Sequence, residues 1–438
     1  MKTAMQKPAT ESLHDALRTQ SEMRRRWLII LPAVFITYSL AYLDRTNYGF
    51  GAAAGLAQTL HISNSRSALL GAVFFFGYFL FQVPGAAYAK RRSVRRLIFF
   101  ALVAWGILAS LTGIIGNFWL LAFDRLLLGA AESFILPAML ILLANWFTRA
   151  ERSRTNTLLL LGNPVTVLWM STATGYLIRA VGWQMTFILE GLPSILWGIA
   201  WLFIIRDRPE DATWMSEDTC AQLGQQLERE QQLIPQVANM GSAVRNPSVV
   251  LLCIQYFFWS VGVYGFVLWL PSIVQEGAAR GIAITGLLSG APYLLAIILM
   301  LAVAHYSDRS FRRKRFVWPF LMLAGTCLFG SYLTASHNFW LAYGFLILAG
   351  SCMYAPYGPF FAIMPEMLSK NVAGEVTALV NSCGALGSFV GVWFVGLLGA
   401  YTGNSRAGFL FMSISLIIAG VIILCLRGRP TTPLPSFP

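Results

Sequence analysis

Twelve stretches of this chain are apolar over a length that suits a bilayer crossing. They cover residues 27–52, 67–89, 96–115, 118–146, 156–178, 186–205, 247–274, 283–306, 316–335, 338–364, 375–400 and 407–426. A spanning helix needs about 20 mostly apolar residues. The pattern therefore predicts an all-α membrane protein with twelve transmembrane helices. Composition agrees: 57% of residues are hydrophobic and 12% charged, against about 25% charged in a soluble domain.

The net charge of +13 raises the question of a nucleic-acid partner, and its distribution argues against one. Of 32 Lys and Arg, 26 fall in the two terminal segments and in the loops after even-numbered spans. Four (Arg66, Arg179, Arg280, Arg406) fall in the opposite loops, and Arg45 and Arg125 lie inside spans. Cytoplasmic loops carry the excess of Lys and Arg, so both termini are expected in the cytoplasm. Residues 1–26 form a polar arm ending in Arg24-Arg25-Arg26, without the apolar core of a signal peptide. The first span is expected to be an uncleaved anchor.

The spans fall into two sets of six, 27–205 and 247–426, joined by a polar linker, 206–246, and followed by a tail, 427–438. Within the linker, 216–232 fits an amphipathic surface helix. The halves echo each other: GAAYAKRRSVRR (85–96) follows span 2 and AHYSDRSFRRKR (304–315) follows span 8. A duplicated six-helix unit is common among transporters, whose site lies between the halves near the bilayer midplane.

Ionisable groups inside apolar runs mark that site. A charge at the bilayer centre costs at least about 2.5–3.5 kcal/mol on the insertion scale, and such groups usually face a polar cavity with partners. LDRTN (43–47) places Asp44 and Arg45 in span 1; FDRLLLGAAES (123–133) places Arg125 and Glu132 in span 4. Arg125 and Glu132 are seven residues apart, within about 20° of one helix face and about 10 Å apart along the axis. They share a face but are too distant for a simple pair. Arg45 with Glu132, or Asp44 with Arg125, could pair if spans 1 and 4 are neighbours. Arginine stays protonated and its planar fork matches a carboxylate. A carboxylic acid in a low-dielectric site can exchange protons near neutral pH. Arg45 and Arg125 are thus candidates for anion binding, Asp44 and Glu132 for proton coupling. A fixed ion-pair network that only holds helices together is the plain alternative. Asp124, Glu190 (a turn into span 6) and Glu366 (at the end of span 10) read as structural.

Around these charges, Tyr78 and Gln82 in span 2, Asn163 in span 5, Tyr357 in the YAPYGPFF of span 10, and Asn381 in span 11 are further substrate-binding candidates. Amide and phenol groups suit hydroxyls; most of the other rings suit packing and interfaces. Gly384, Gly387 and Gly391 read as close helix packing. The six cysteines include no CxxC, and His14, His61, His305 and His337 lie in the arm, loops or span ends. No metal site or cofactor is expected, and no nucleophile points to a membrane-embedded enzyme. A channel or receptor, and export rather than import, remain open.

Twelve spans, a central loop and basic turns after spans 2 and 8 resemble the major facilitator superfamily, although Ala89 stands where that family usually has Asp. LAYLDRTNYGF with RLLLGAAESFILPAML resembles its anion:cation symporter group, proton-coupled transporters of sugar acids. The resemblance implies proton-linked roles for Asp44 and Glu132, anion-linked roles for Arg45 and Arg125, and a substrate-lining role for Tyr78, Asn163 and Asn381; Asn163 stands where relatives carry Gln. FITYSLAYLDRTNYGF, LGNPVTVLWMS, QYFFWSVGVYGFVLWLPSIV and MYAPYGPFFA are similar to bacterial 2-ketogluconate transporters. This implies a monomeric, multi-pass protein of the bacterial cytoplasmic (inner) membrane that imports a monocarboxylate sugar acid by proton symport. Galactonate, gluconate, tartrate and aromatic acids stay open as substrates.

Overall fold

Hydrocarbon offers no partner for a bare N–H or C=O, so a chain crossing it must satisfy its backbone internally. The computed structural model does so with helices. It describes residues 9–91, 93–232, 245–278, 281–310, 312–367, 370–403 and 407–426; the side chains of Ala89, Asp308 and Glu366 lie outside the description. Every regular element among the described residues is helical. Besides two short 3-10 helices, Pro209–Asp211 and Arg313–Phe316, they are in chain order α1 Ala9–Ala53, α2 Leu56–Thr59, α3 Asn64–Arg91, α4 Val94–Thr112, α5 Phe118–Glu132, α6 Ile135–Trp146, α7 Arg149–Ile204 and α8 Glu217–Gln232. There follow α9 Pro247–Ala278, α10 Ile282–Ser310, α11 Trp318–Thr334, α12 Phe339–Tyr354, α13 Tyr357–Met367, α14 Lys370–Thr402 and α15 Ala407–Cys425.

Among the described residues, eleven helical stretches are long and apolar enough to cross a membrane. One of them, Arg154–Ile204, has 51 residues. At 1.5 Å per residue it is about 77 Å long, more than twice a hydrocarbon core of about 30 Å. Gly182, at φ 82° and ψ 166°, breaks it into two helices. Only glycine takes that backbone conformation without strain.

Two helices are interrupted at matching places. A turn at Ser133–Phe134 separates α5 from α6, and Ala355–Pro356 separates α12 from α13, where Pro356 brings no N–H. Both begin with the same cap and sequence. Asn117 accepts hydrogen bonds from the amides of Trp119 and Leu120 at 3.0 and 3.1 Å. Asn338 accepts one from Leu341 at 3.2 Å. Each opens an Asn-Phe-Trp-Leu run. This repeat is a clearer trace of duplication than the basic turns.

In the first half, α7 packs on α1 and α4, and α3 on α5; in the second, α9 packs on α14 and α15, and α11 on α12 and α15. The halves meet where α3 packs on α14, α7 on α10 and α1 on α9. Glycine permits those approaches. A Cβ on Gly286 of α10 would lie 2.3 Å from the Ser171 carbonyl oxygen, and one on Gly49 of α1 2.5 Å from that of Leu268. Within the second half, Gly384, Gly387 and Gly391 let α14 lie against Tyr256, Phe257 and Val261 of α9. Helix α8 forms in the linker and buries Leu223 and Leu227. It is tied to the start of α1 by Ser216, whose amide and hydroxyl donate to Glu22 at 3.0 and 2.7 Å.

Candidate functional site

Arg45 is the centre of the polar interior. Its Nε donates to Glu132 Oε2 at 2.8 Å, with the arginine side chain 5% exposed and the glutamate 0%. Two long side chains thus join α1 to α5. The guanidinium is capped by aromatic faces, 4.9 Å from the Tyr42 ring centroid and 4.7 Å from that of Tyr78. Such cation–π contacts are stronger when desolvated, about 2 kcal/mol or more. Arg45 Nη2 and Glu132 Oε1 keep no hydrogen-bond partner. The pair is thus strong and incompletely satisfied.

Asp44 lies beside Glu132, and the Arg125 charge acts on Asp44. No ion pair joins Asp44 to Arg125 among the described residues: of the two expected pairings, the Arg45–Glu132 one forms. Arg125 is 1% exposed and lies behind the rings of Tyr48 and Phe74, at 4.8 and 5.3 Å, with Nε and Nη1 unpaired. Asp124 turns away, as its position on α5 requires, and accepts a hydrogen bond from Thr112 at 2.9 Å.

A pocket lies beside this cluster, walled by both halves of the chain. Arg45, Tyr78 and Asn163 line it from the first half, Tyr357 and Asn381 from the second. Five of the seven residues expected to bind substrate therefore share one wall. Arg125 and Gln82 do not reach it. Arg125 is screened by its two rings. Gln82 stands about 40° further round α3 than Tyr78 and is fully buried, its amide unpaired. Asp44 and Glu132 also sit behind the wall, so of the four charges only Arg45 meets the cavity.

Sequence reasoning passed over several wall residues. Tyr42 and Tyr264 join hydroxyl to hydroxyl at 3.1 Å, linking α1 to α9 across the cavity. Tyr42 precedes Arg45 by one helical turn, which is the signal that could have found it. Tyr256 and Ser260 also line the wall, in a segment whose many rings gave no basis for choosing among them. Helix breaks bound the site on both sides: Glu132 ends α5, and Tyr357 opens α13.

Comparison with known proteins places this geometry. The sequence model of the Major Facilitator Superfamily matches residues 34–392. A protein of Agrobacterium vitis named "Putative tartrate transporter" is 29% identical over 422 residues, covering 93% of this chain and 92% of its own. The "Quinolone resistance transporter" of Acinetobacter baumannii is 30% identical over 407 residues, covering 90% and 92%. The crystal structure of a bacterial homolog of the human lysosomal transporter Spinster, inward-facing and unoccupied, superimposes with a TM-score of 0.72 at 16% identity, covering 92% of this chain and 98% of that one.

Proposed function

The chain belongs to the major facilitator superfamily, and on that premise we propose that it carries a small organic anion, a sugar acid, into the bacterial cell across the cytoplasmic membrane together with protons. Counting the 51-residue stretch as two spans parted at Gly182 supports twelve crossings. The excess of Lys and Arg in the loops after even-numbered spans supports both termini in the cytoplasm. The close contacts of Gly49 with Leu268 and of Gly286 with Ser171 then lie towards the outer face, and the chain is closed on that side. Rocking of the two six-helix halves about the cavity gives alternating access.

The observation that carries this reading is the Arg45–Glu132 pair at the cavity wall. An arginine whose charge is balanced by a glutamate has less to offer a substrate. A proton on Glu132, shared with Asp44, cancels the negative charge that holds Arg45. The guanidinium is then free to take the substrate carboxylate in a charge-assisted hydrogen bond. Proton and anion binding thereby favour each other, as symport requires. Arg125 supplies positive potential from behind the wall. Tyr78, Asn163, Tyr357 and Asn381 offer donors and acceptors to hydroxyl groups.

The favoured substrate is 2-ketogluconate, supported by the motif resemblance. Tartrate is the second reading, supported by the relative from Agrobacterium vitis. Both have an oxygen on the carbon next to the carboxylate. Uptake into proteoliposomes from a panel of aldonates, ketoaldonates and tartrate, with and without an inward proton gradient, tests the proposal. Concentrative uptake of one of them that collapses with the gradient is expected. Uptake indifferent to the gradient, or none across the panel, overturns it.

A further inference from the structure

We propose that Glu190 is the outer relay of the proton path, linking the outer aqueous phase to the Asp44–Glu132 pair through Thr174 and Asn47. The proposal rests on the proton-symport reading above. Its ground is a set of polar groups that the packing leaves incomplete. Glu190 lies one turn beyond Phe187, whose ring abuts Gly51 near the end of α1. It is 8% exposed. Its Oε1 accepts a hydrogen bond from Thr174 Oγ at 2.8 Å, and the same hydroxyl lies 3.4 Å from Asn47 Oδ1. Asn47 follows Asp44 by three residues and so lies on the neighbouring face of α1. Asp44 is near enough for its charge to act on Glu190.

A carboxyl that merely held helices together should have all its polar atoms occupied. Here Glu190 Oε2, Asn47 Nδ2 and Asp44 Oδ2 all lack partners. They mark a line of buried polar atoms from Glu190 to Asp44, and a water needs two to four such partners to be held. No cation neutralises Glu190 among the described residues packed around it. Helix α1 offers Asp44, a like charge, and Arg45, already committed to Glu132. Helix α4 offers Ser110, bonded to the Gly106 and Ile188 carbonyls. On α5, Asp124 is engaged by Thr112, and Arg125 faces Tyr48 and Phe74. Arg179 and His61 are exposed at the chain's outer end.

The step is a proton transfer with nothing else exchanged. Protonated Glu190 and ionised Asp44 become ionised Glu190 and protonated Asp44; the Thr174 hydroxyl and water held beside Asn47 each gain one proton and release another, while the Asn47 amide orients that water and carries no proton itself. Glu190 then recharges from outside.

The test separates proton movement from anion movement. In proteoliposomes, the anion of the panel that wild type accumulates is followed in two ways: net uptake driven by an inward proton gradient, and exchange of labelled for unlabelled anion at equal pH. Glu190→Gln should slow net uptake by at least about tenfold while exchange stays within about twofold of wild type. Thr174→Val should slow net uptake in the same sense, and Glu190→Asp should restore most of the rate. Equal loss of both activities in folded protein would assign Glu190 a structural role and overturn the proposal; so would two unchanged rates. If wild-type uptake ignores the proton gradient, the symport reading fails first and the relay with it.

Discussion

Arg45 is the residue on which binding and stability both turn. It touches the cavity, two aromatic faces and Glu132 at once. Lysine keeps the charge but loses the planar fork, and the two are not interchangeable at stacked sites. Arg45→Lys should weaken anion binding about 10- to 100-fold, from a hydrogen bond to a charged group worth about 1.5–3 kcal/mol; equilibrium binding of the labelled anion checks this. The stability consequence is separate. Removing one partner of a buried pair leaves an uncompensated charge and costs about 3–5 kcal/mol, whereas removing both is often near neutral. Thermal unfolding in detergent should show Arg45→Met strongly destabilised and Arg45→Met/Glu132→Met close to wild type. A double variant as unstable as the single one would mean that the pair holds α1 and α5 together by more than charge compensation.

At the scale of the element, glycine and helix breaks set the geometry. The halves touch through Gly49 and Gly286, where a side chain would collide with backbone carbonyl oxygens. Backbone yields less readily than a flexible side chain, so the halves themselves must part. Gly286→Leu should shift the protein towards an outward-open state. Spin labels at Asn64→Cys and Tyr401→Cys, in a cysteine-free background, should move apart by several ångströms in this variant; an unchanged distance would contradict that role for the contact. The interrupted helices act in the same sense. Glu132 and Tyr357 sit at the breaks of α5–α6 and α12–α13, which places side chains from both halves beside one cavity. Lengthening α12 into α13 with Pro356→Ala should lower uptake several-fold while leaving expression intact, as labelled-anion uptake would show.

At the scale of the molecule, much was legible before any coordinates. Apolar length marked the membrane helices, because burial in hydrocarbon is written in composition. The pairing of Arg45 with Glu132 was one of two alternatives, and only packing could choose between them. Helical spacing put Arg125 and Glu132 on one face of α5 but could not show Tyr48 and Phe74 closing over Arg125. Thr174 and Asn47 were invisible as partners of Glu190 because they are distant in sequence and common in type. Gly182 stood in plain view, yet its positive φ is a property of the folded backbone alone.

The central claim is thermodynamic coupling between a proton on the Asp44–Glu132 pair and an anion on Arg45. Its sign is fixed: protonation frees Arg45, so anion affinity should rise as pH falls, by up to about tenfold per pH unit for each proton taken up, one pH unit being 1.36 kcal/mol. The direct measurement is anion affinity across pH in wild type and in Asp44→Asn/Glu132→Gln. Wild type should bind more tightly at lower pH, and the double variant should bind with little dependence on pH at an affinity near the acidic wild-type limit. A double variant that keeps the wild-type slope would contradict the account.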